Sequence, residues 1–163
     1  MGQHPIVIDA DASPTGFVAW YNYHTETSKI MPLRPSPRNE RFGVQRMELL
    51  AVYFALRDNL VHIRHTLRHS SKKRVVVEVR SDSKTIVEQL RGVSQTRDSL
   101  MRRIISAIGR LLAKMGSTTI VFDHLERSRN IAGLMLDQRR RKEHERAMVH
   151  YEMKRFAPLS FCS

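Results

Sequence analysis

The chain is predicted to fold as an α/β protein, with a five-stranded mixed sheet and helices on both faces of that sheet. Three short β-rich segments follow one another near the N-terminus with only turns between them, so they pair as antiparallel strands. The later strands are separated by stretches of helical periodicity, which predicts parallel strands joined by right-handed crossovers. The 163 residues, of which 41% are hydrophobic, are enough for one domain with its own core.

The three N-terminal strands are predicted from runs of β-branched and aromatic residues. The first covers Pro5 to Asp11 and ends at the turn sequence Ser-Pro-Thr-Gly of residues 13–16. The second, Phe17 to Tyr23, forms a hairpin with the first, and the third covers Ser28 to Leu33. The proline-broken segment 34–39 then separates this antiparallel half from the rest of the chain.

The second half of the sheet is predicted to alternate with helices. Apolar residues recur at helical spacing from Val44 to Leu67, which predicts a long helix. The next strand, Arg74 to Val79, carries three consecutive valines and is therefore expected to be covered on both faces. Four elements follow: a short helix from Ser83 to Leu90, an amphipathic helix from Ser99 to Met115, a strand from Thr118 to Phe122 and a helix from Ile131 into a basic tail. The predicted order is βββ-α-β-α-α-β-α.

Charge narrows the class of partner. The 28 Lys and Arg against 16 Asp and Glu give a net charge of +12, which favours a polyanion: nucleic acid first, with an anionic membrane surface as the rival. No apolar run approaches the roughly 20 residues of a membrane span, and the N-terminus lacks the features of a signal peptide. The single cysteine, Cys162, cannot form an internal disulfide, so we expect a reducing, cytoplasmic setting.

Three carboxylates give this frame a candidate site. Asp11 ends the first strand, Asp82 ends the valine-rich strand, and Glu48 lies on the stripe of the long helix that packs on the sheet. If the first and fourth strands are neighbours, the two aspartates lie side by side and Glu48 reaches over them. Such a cluster requires cations or raised pKa values, and its oxygen ligands suit Mg²⁺, or Mn²⁺ in its place.

Each carboxylate also has a simpler explanation. Asp82, which precedes Ser83, is suited to capping a helix. Glu48, near a helix N-terminus, is suited to compensating the helix dipole at the surface. Asp9, two residues before Asp11, is expected to be solvated or salt-bridged rather than a ligand. The carboxylates are stronger evidence together than singly, because they stand at the ends of the right elements.

Four short blocks carry these residues: Asp11-Ala12-Ser13-Pro14-Thr15-Gly16, Arg46-Met47-Glu48-Leu49-Leu50-Ala51, Ser81-Asp82-Ser83 and His124-Leu125-Glu126-Arg127-Ser128-Arg129-Asn130. The first resembles the Asp-(Gly/Ala)-Ser turn of type 1 ribonucleases H, in a compact form closest to the domains of retroelement and hepadnavirus-like polymerases. The others resemble that family's Arg-x-Glu-Leu-x-Ala helix motif, its Ser-Asp-Ser/Asn strand end and its His-x-x-Arg-x-x-Asn stretch before the last helix. The blocks follow the family order over most of the chain.

The resemblance implies the ribonuclease H fold, with sheet order 3-2-1-4-5. It also implies hydrolysis of the RNA strand of RNA–DNA hybrids by two Mg²⁺ ions, with Mn²⁺ as a substitute, to give 5′-phosphate and 3′-hydroxyl ends. In this resemblance Asp11 bridges the two ions, and Glu48 and Asp82 complete the ligands of the second. The family's further aspartate stands four residues after Asn130, and here that position is Leu134.

We hypothesise that Asp137, one turn further along the same helix, replaces this aspartate. A shift of the helix would allow it, with Ala132 and Gly133 permitting close approach to the sheet. The alternative is that Asp137 is a surface residue and the enzyme is weakened or inactive. His124 matches the family's histidine, which assists proton transfer or product departure, and it also has the simpler explanation of a strand-end histidine.

Contacts with nucleic acid are expected around this site and in the basic tail. In the family the residues before the helix glutamate contact RNA, and here these are Val44 and Gln45. The tryptophan-containing basic insertion of some bacterial members is missing between Gly92 and Ser99. The basic runs 72–74, 102–103 and 139–142 are candidates to replace it, and the last is preferred because it continues the helix that carries Asp137. The candidate contacts are Ser13, Gln45, Arg46, Ser83, Asn130, Arg139 and Arg140.

Residues 1–137 are expected to form the catalytic domain, and residues 138–163 a basic helical extension of the same domain, in a monomer. Three possibilities stay open for residues 143–163: they extend the helix, mediate association, or pack back through Phe156, Leu159 and Phe161. The start at Met1 and the complete order of elements favour a free-standing enzyme over a piece of a larger polymerase.

Two other classes of function stay open as well. One is a nucleic-acid-binding module whose site is disabled by the departure at Leu134. The other is a related DNA nuclease, such as a junction resolvase or an integrase-like strand-transfer enzyme. Enzymes of that second kind share the carboxylates but lack the Arg-x-Glu-Leu-x-Ala block seen here.

Overall fold

A computed structural model describes residues 4–33, 43–71 and 74–155 of the chain. The strands are β1 (Ile6–Ser13), β2 (Phe17–Asn22), β3 (Thr27–Pro32), β4 (Val75–Ser81) and β5 (Thr118–His124). The helices are α1 (Gly43–His69), α2 (Lys84–Leu90), α3 (Ser99–Ala113) and α4 (Ile131–Arg155), and a single 3₁₀ turn (Arg127–Arg129) precedes α4. The predicted order of elements is confirmed. The proline-broken segment 34–39, the apolar residues after position 155 and Cys162 lie outside the described residues.

The five strands form one mixed sheet in the order β3-β2-β1-β4-β5, which confirms the predicted topology. The pairs β1–β2 and β2–β3 are antiparallel, and the pairs β1–β4 and β4–β5 are parallel. Asp9 of β1 lies opposite Arg80 of β4, so two residues further on Asp11 and Asp82 come to the same end of neighbouring strands. The register therefore creates the proximity on which the candidate site depends.

The larger core fills one face of the sheet, beneath α1, α2 and α3. Its largest fully buried side chains include Ile8 and Val77 from the sheet and Leu49, Leu56, Ile86 and Met101 from the helices. A second, smaller cluster joins Ala19 of β2 to Ala132 and Leu136 of α4. Val18 and Trp20, the neighbours of Ala19, belong to the larger core. Because side chains alternate along a strand, α4 must cover the opposite face.

Helix α4 leaves the domain after it has crossed the sheet. Arg139 still packs on it, with its guanidinium 4.1 Å from the centre of the Phe17 ring. Every residue from Arg140 to Arg155 is exposed. As far as residue 155, the extension therefore continues the helix, which was one of the three possibilities left open. No helix in the described ranges is long and apolar enough to cross a membrane.

A buried ion pair joins the start of α1 to the start of α3. Arg46 donates from Nε to Asp98 Oδ1 over 3.1 Å, and the side chains of both residues are nearly inaccessible. The same Asp98 carboxylate accepts from the backbone N–H of Met101 at 2.8 Å and so caps α3. Arg46 is a candidate nucleic-acid contact in the sequence analysis, but in the structure its side chain is buried in an ion pair that links α1 to α3.

Replacing Asp98 by Ala is expected to destabilise the protein by at least about 1 kcal/mol, the typical effect of losing an N-cap. The loss should exceed that value because the Arg46 guanidinium is left buried without its counter-charge. Urea denaturation of the variant measures it. Arg102→Ala, an exposed substitution in the same helix, is the control, and equal midpoints for the two variants would contradict a structural role for the ion pair.

Candidate metal centre

Three carboxylates from three elements meet at one end of the sheet. Asp11 comes from the C-terminal part of β1, Asp82 directly follows β4, and Glu48 lies in the second turn of α1. One carboxylate oxygen from each lies within 4.8 Å of the other two. The structure therefore brings together the three side chains that the sequence singled out. Within the described ranges no other three His, Cys, Asp or Glu side chains converge in this way.

The cluster is buried and incompletely satisfied by the protein. Asp11 is 0% and Glu48 7% exposed, and both Asp11 oxygens and Glu48 Oε2 make no hydrogen bond. Burial, and then the charge of Asp82, raise the pKa of Asp11 to about 7, although Arg127 opposes the shift. Burial, and then the charges of Asp11 and Asp82, raise the pKa of Glu48 to about 9. A nearby cation stabilises carboxylates whose negative charge is disfavoured by burial and repulsion in this way.

Asp82 is free to join the cluster because it does not cap the following helix. The N-cap position of α2 is Ser83, and its side chain makes no capping bond. The backbone N–H of Ser83 donates to Ser81 Oγ at 3.1 Å, so Asp82 has no part in this turn's hydrogen bond. The capping explanation for Asp82 is therefore wrong. Glu48 is buried, so it is not a surface residue that compensates the helix dipole.

Asp9 differs from Asp11 in being fully satisfied. It is buried and accepts from Arg80 Nε at 2.7 Å, from Tyr23 Oη at 2.7 Å and from the backbone N–H of Ile131 at 3.0 Å. The expectation of a salt-bridged residue is confirmed. Since Ile131 is the first residue of α4, Asp9 also ties the start of that helix to β1.

Asn130 and Gly133 allow the start of α4 to pack close to Asp11. Asn130 is fully buried, donates from Nδ2 to the Ala10 carbonyl at 3.2 Å, and accepts from the Gly133 N–H at 3.3 Å. Its amide is thus used within the protein, which gives it a structural place rather than the predicted contact with nucleic acid. A Cβ on Gly133 would lie only 2.8 Å from Asp11 Oδ2. Glycine is what allows the helix to cover this carboxylate, in line with the close approach expected of Ala132 and Gly133.

Arg127 is the cation of the centre and was given no role by the sequence reasoning. Its Nη1 lies 3.1 Å from Asp82 Oδ2 and 3.6 Å from Asp11 Oδ2, and its Nη2 lies 3.2 Å from Asp137 Oδ1. Its side chain is 53% exposed, so it can leave without disturbing the core. The available signal was its place in the fourth sequence block, between a strand-end histidine and the last helix.

Asp137 lies outside the cluster of three and reaches it through Arg127. Its side chain is 27% exposed and also approaches Arg140 Nη2 at 3.5 Å. Leu134, at the position where the resemblance places an aspartate, is 47% exposed. Asp137 is therefore the acidic side chain of α4 beside the centre, and its role as a ligand stays a prediction.

The remaining candidates lie around the rim. His124 Nε2 is 3.2 Å from the backbone oxygen of Asp82, and the ring is exposed. Ser13 Oγ shares a 2.7 Å hydrogen bond with Thr15 Oγ1 in the turn that follows Asp11. Gln45 is half-buried in the first turn of α1, three residues before Glu48. His124 thus contacts the backbone of one of the three carboxylate residues, and Ser13 and Gln45 lie two and three residues along the chain from Asp11 and Glu48.

Asp11, Glu48 and Asp82 fit a divalent metal ion. They offer only oxygen ligands, the raised pKa values of Asp11 and Glu48 show that their negative charges lack compensation within the protein, and three of their buried oxygens have no protein donor. A hard cation such as Mg²⁺ or Mn²⁺ prefers this donor set.

Comparison with known proteins shows the fold of the chain. No protein family model and no curated protein matches its sequence. Among solved structures, LC11-RNase H1 isolated from compost superposes with a TM-score of 0.62 at 19% identity, covering 82% of this chain and 93% of that one. RNase H1 from the halophilic archaeon Halobacterium salinarum NRC-1 gives 0.60 at 17% identity, covering 79% and 91%. LC11-RNase H1 in complex with an RNA/DNA hybrid gives 0.56 at 20% identity, covering 77% and 88%. The chain therefore has the ribonuclease H fold.

Replacing Gly133 by Ala tests the contact between α4 and the centre. Helix propensity alone would stabilise the protein by about 1 kcal/mol. The new methyl group would instead displace the enclosed Asp11 carboxylate, so we expect no gain in melting temperature and a smaller rise on addition of Mg²⁺. Gly109→Ala in α3, where a Cβ meets nothing within 4 Å, is the matched control and should show the full gain. Equal behaviour of the two variants would contradict the close approach.

Replacing Asp11 by Asn is expected to raise the melting temperature of the EDTA-treated protein at pH 8. The ordinary pKa values of Asp11 and Glu48, 3.8 and 4.5, rise to about 7 and about 9 in the fold. The folded state thus holds more protons than the unfolded state between these values, and metal-free stability falls as pH rises from about 5 to 9. Thermal melting across this range should show a weaker pH dependence in the variant and the loss of its stabilisation by Mg²⁺. A lower melting temperature in EDTA would contradict the charge repulsion.

Proposed function

We propose that this chain, which has the ribonuclease H fold, is a metal-dependent endonuclease that hydrolyses the RNA strand of RNA–DNA hybrids. The observation that carries the proposal is the cluster of three carboxylates, with its unpaired buried oxygens, at the ends of β1 and β4. The fold alone supports many functions. The centre supplies the chemistry, and the net charge of +12 suits a polyanionic substrate.

Asp11, Glu48 and Asp82 would hold the metal, preferably Mg²⁺ with Mn²⁺ as a substitute. Two divalent ions held there would supply activation of the attacking water and stabilisation of the leaving 3′ oxygen, and such hydrolysis would leave 5′-phosphate and 3′-hydroxyl ends. Asp137 is the proposed fourth ligand, because Arg127 keeps its carboxylate beside the centre. The same guanidinium is exposed and suited to pairing with a substrate phosphate once a metal ion neutralises the carboxylates.

The rim residues would receive the substrate. His124, whose Nε2 lies 3.2 Å from the Asp82 backbone oxygen, would assist proton transfer or the departure of the product. Gln45 at the start of α1 can hydrogen-bond a 2′-hydroxyl in the shallow groove, which is how RNA is distinguished from DNA. Val44 beside it is 47% exposed and can offer only its backbone. Ser13 and Ser83 flank the two aspartates. A cytoplasmic, monomeric protein remains our proposal for its setting.

A nucleic-acid-binding module without cleavage is the second candidate. It is favoured by one observation: Asp137 contacts the centre only through Arg127, which pairs with the same carboxylates that a metal ion would need. In that case tight, salt-sensitive binding would occur without hydrolysis.

Cleavage of a labelled RNA–DNA hybrid, beside RNA–RNA and DNA–DNA duplexes, tests the proposal in Mg²⁺, Mn²⁺ or EDTA. We expect cutting of the hybrid alone, only with metal, and its reduction by about a hundredfold or more in Asp11→Asn and Asp137→Asn, since lost electrostatic stabilisation is of this order. Asp123→Asn, on β5 and paired with Arg91, is the matched control and should keep wild-type activity.

Each other outcome has a separate meaning. Cutting that survives Asp137→Asn would keep the enzyme and remove that residue from the ligand set. Binding of the hybrid without cutting of any duplex under any metal would establish the binding module instead. Cutting of the DNA duplex would point to a DNA nuclease.

A further inference from the structure

The distal part of α4 has no place in the proposed cleavage reaction, although it begins at the metal centre. Gly133 lies against Asp11, Asp137 is paired with Arg127, and the helix then runs clear of the domain to Arg155. All residues from Arg140 to Arg155 are exposed. An exposed helix of this kind gains little from its own propensity and is typically stabilised by a partner.

One side of this helix lies in line with Gly133 and Asp137, the two residues of α4 that face the candidate metal centre. At about 100° per residue, six exposed side chains larger than alanine lie within about 60° of the direction midway between Gly133 and Asp137, with the exposed Ala147 at the edge of the same range. They form what we call the α4 strip: Arg140, Arg141, His144, Met148, Tyr151 and Arg155. The three glutamates of this region, Glu143, Glu145 and Glu152, lie about 80–100° away from that direction.

The composition of the strip favours a phosphate backbone as its occupant. It carries three arginines and a histidine, and the three glutamates lie beside it rather than on it, while Asp137 at its start is paired with Arg127 and Arg140. Arginine is the side chain best suited to phosphate oxygens, and a tyrosine can stack on a sugar or a base. Met148 and Tyr151 are 48% and 62% exposed but stand between charged residues, which disfavours an apolar interface with a second copy of the chain.

The length of the strip matches a duplex that starts at the metal centre. From Asp137 to Arg155 the helix rises about 27 Å at 1.5 Å per residue. That distance spans on the order of eight base pairs at 3.4 Å each along the duplex axis, and since each strand winds around that axis, the straight strip can meet only those phosphates that face it. A hybrid bound at the carboxylates could therefore lie along the strip without a bend in either molecule.

We propose that the α4 strip is a second nucleic-acid contact, which binds the phosphate backbone of the hybrid to one side of the cleavage position. The proposal rests on the proposed function, because it takes the hybrid at the metal centre as its starting point. Its effect would be on affinity and on the direction in which the duplex lies, and the strip itself takes no part in hydrolysis.

The test compares two double variants that each remove two positive charges from the same stretch of helix. Arg141→Gln with Arg155→Gln removes charges from the strip, whereas Lys142→Gln with Arg146→Gln removes them from the far side, about 160° away. Binding of a 20-base-pair RNA–DNA hybrid is measured by fluorescence anisotropy in EDTA at several salt concentrations, with sedimentation velocity as the check on association. Because no metal is present, the outcome does not depend on whether the chain cleaves.

The strip variant should weaken binding about tenfold or more at 0.1 M salt and reduce the slope of log K against log salt by about 1.8, or 0.9 for each phosphate contact. The far-side variant should keep the wild-type slope. Equal losses in both variants would show a general effect of net charge, and no loss in either would remove the strip from the interface; each result overturns the proposal. So would a change of the strip variant from an oligomer to a monomer, which would identify a second copy as the occupant.

Discussion

The arrangement of this molecule depends on the enforced proximity of three carboxylates that repel one another. Asp11 and Asp82 are neighbours because β1 and β4 pair in parallel, and Glu48 joins them because α1 is anchored over the sheet. Burial in a medium of low dielectric constant makes the repulsion larger than it would be in water. The raised pKa values of Asp11 and Glu48 are the consequence, because either protonation or a nearby positive charge relieves the repulsion. The proximity of the three carboxylates therefore lowers the stability of the metal-free fold as pH rises.

The rest of the structure holds these groups in place. Asp9 looks like a second member of the cluster in the sequence, yet its bonds to Arg80, Tyr23 and Ile131 make it the link between β1 and α4. Asn130 repeats that link one residue earlier, through the Ala10 carbonyl. With Gly133 these contacts bring the start of α4 onto Asp11, so the helix that closes the centre is also the one that carries the exposed basic strip away from it.

The sequence was sufficient for the fold because each element carried a local signal and the connections left few topologies. It was sufficient for Asp11, Glu48 and Asp82 because strand ends and a helix stripe can be placed from periodicity alone. It was not sufficient for Arg46 and Asn130, whose partners Asp98 and Ala10 lie 52 and 120 residues away. Arg127 was missed for a related reason: an arginine in a short turn has no periodicity, and its three carboxylate partners come from three different segments.

The most direct test of the central claim is the binding of Mn²⁺, followed by the electron paramagnetic resonance signal of the free ion. The carboxylate cluster should bind Mn²⁺ in the wild type, at least about tenfold more weakly in Glu48→Gln, and more tightly in Arg127→Ala, because the guanidinium no longer shares the oxygens of Asp11 and Asp82. Binding that is unchanged by Glu48→Gln, or absent from the wild type, would contradict a metal centre at this end of the sheet.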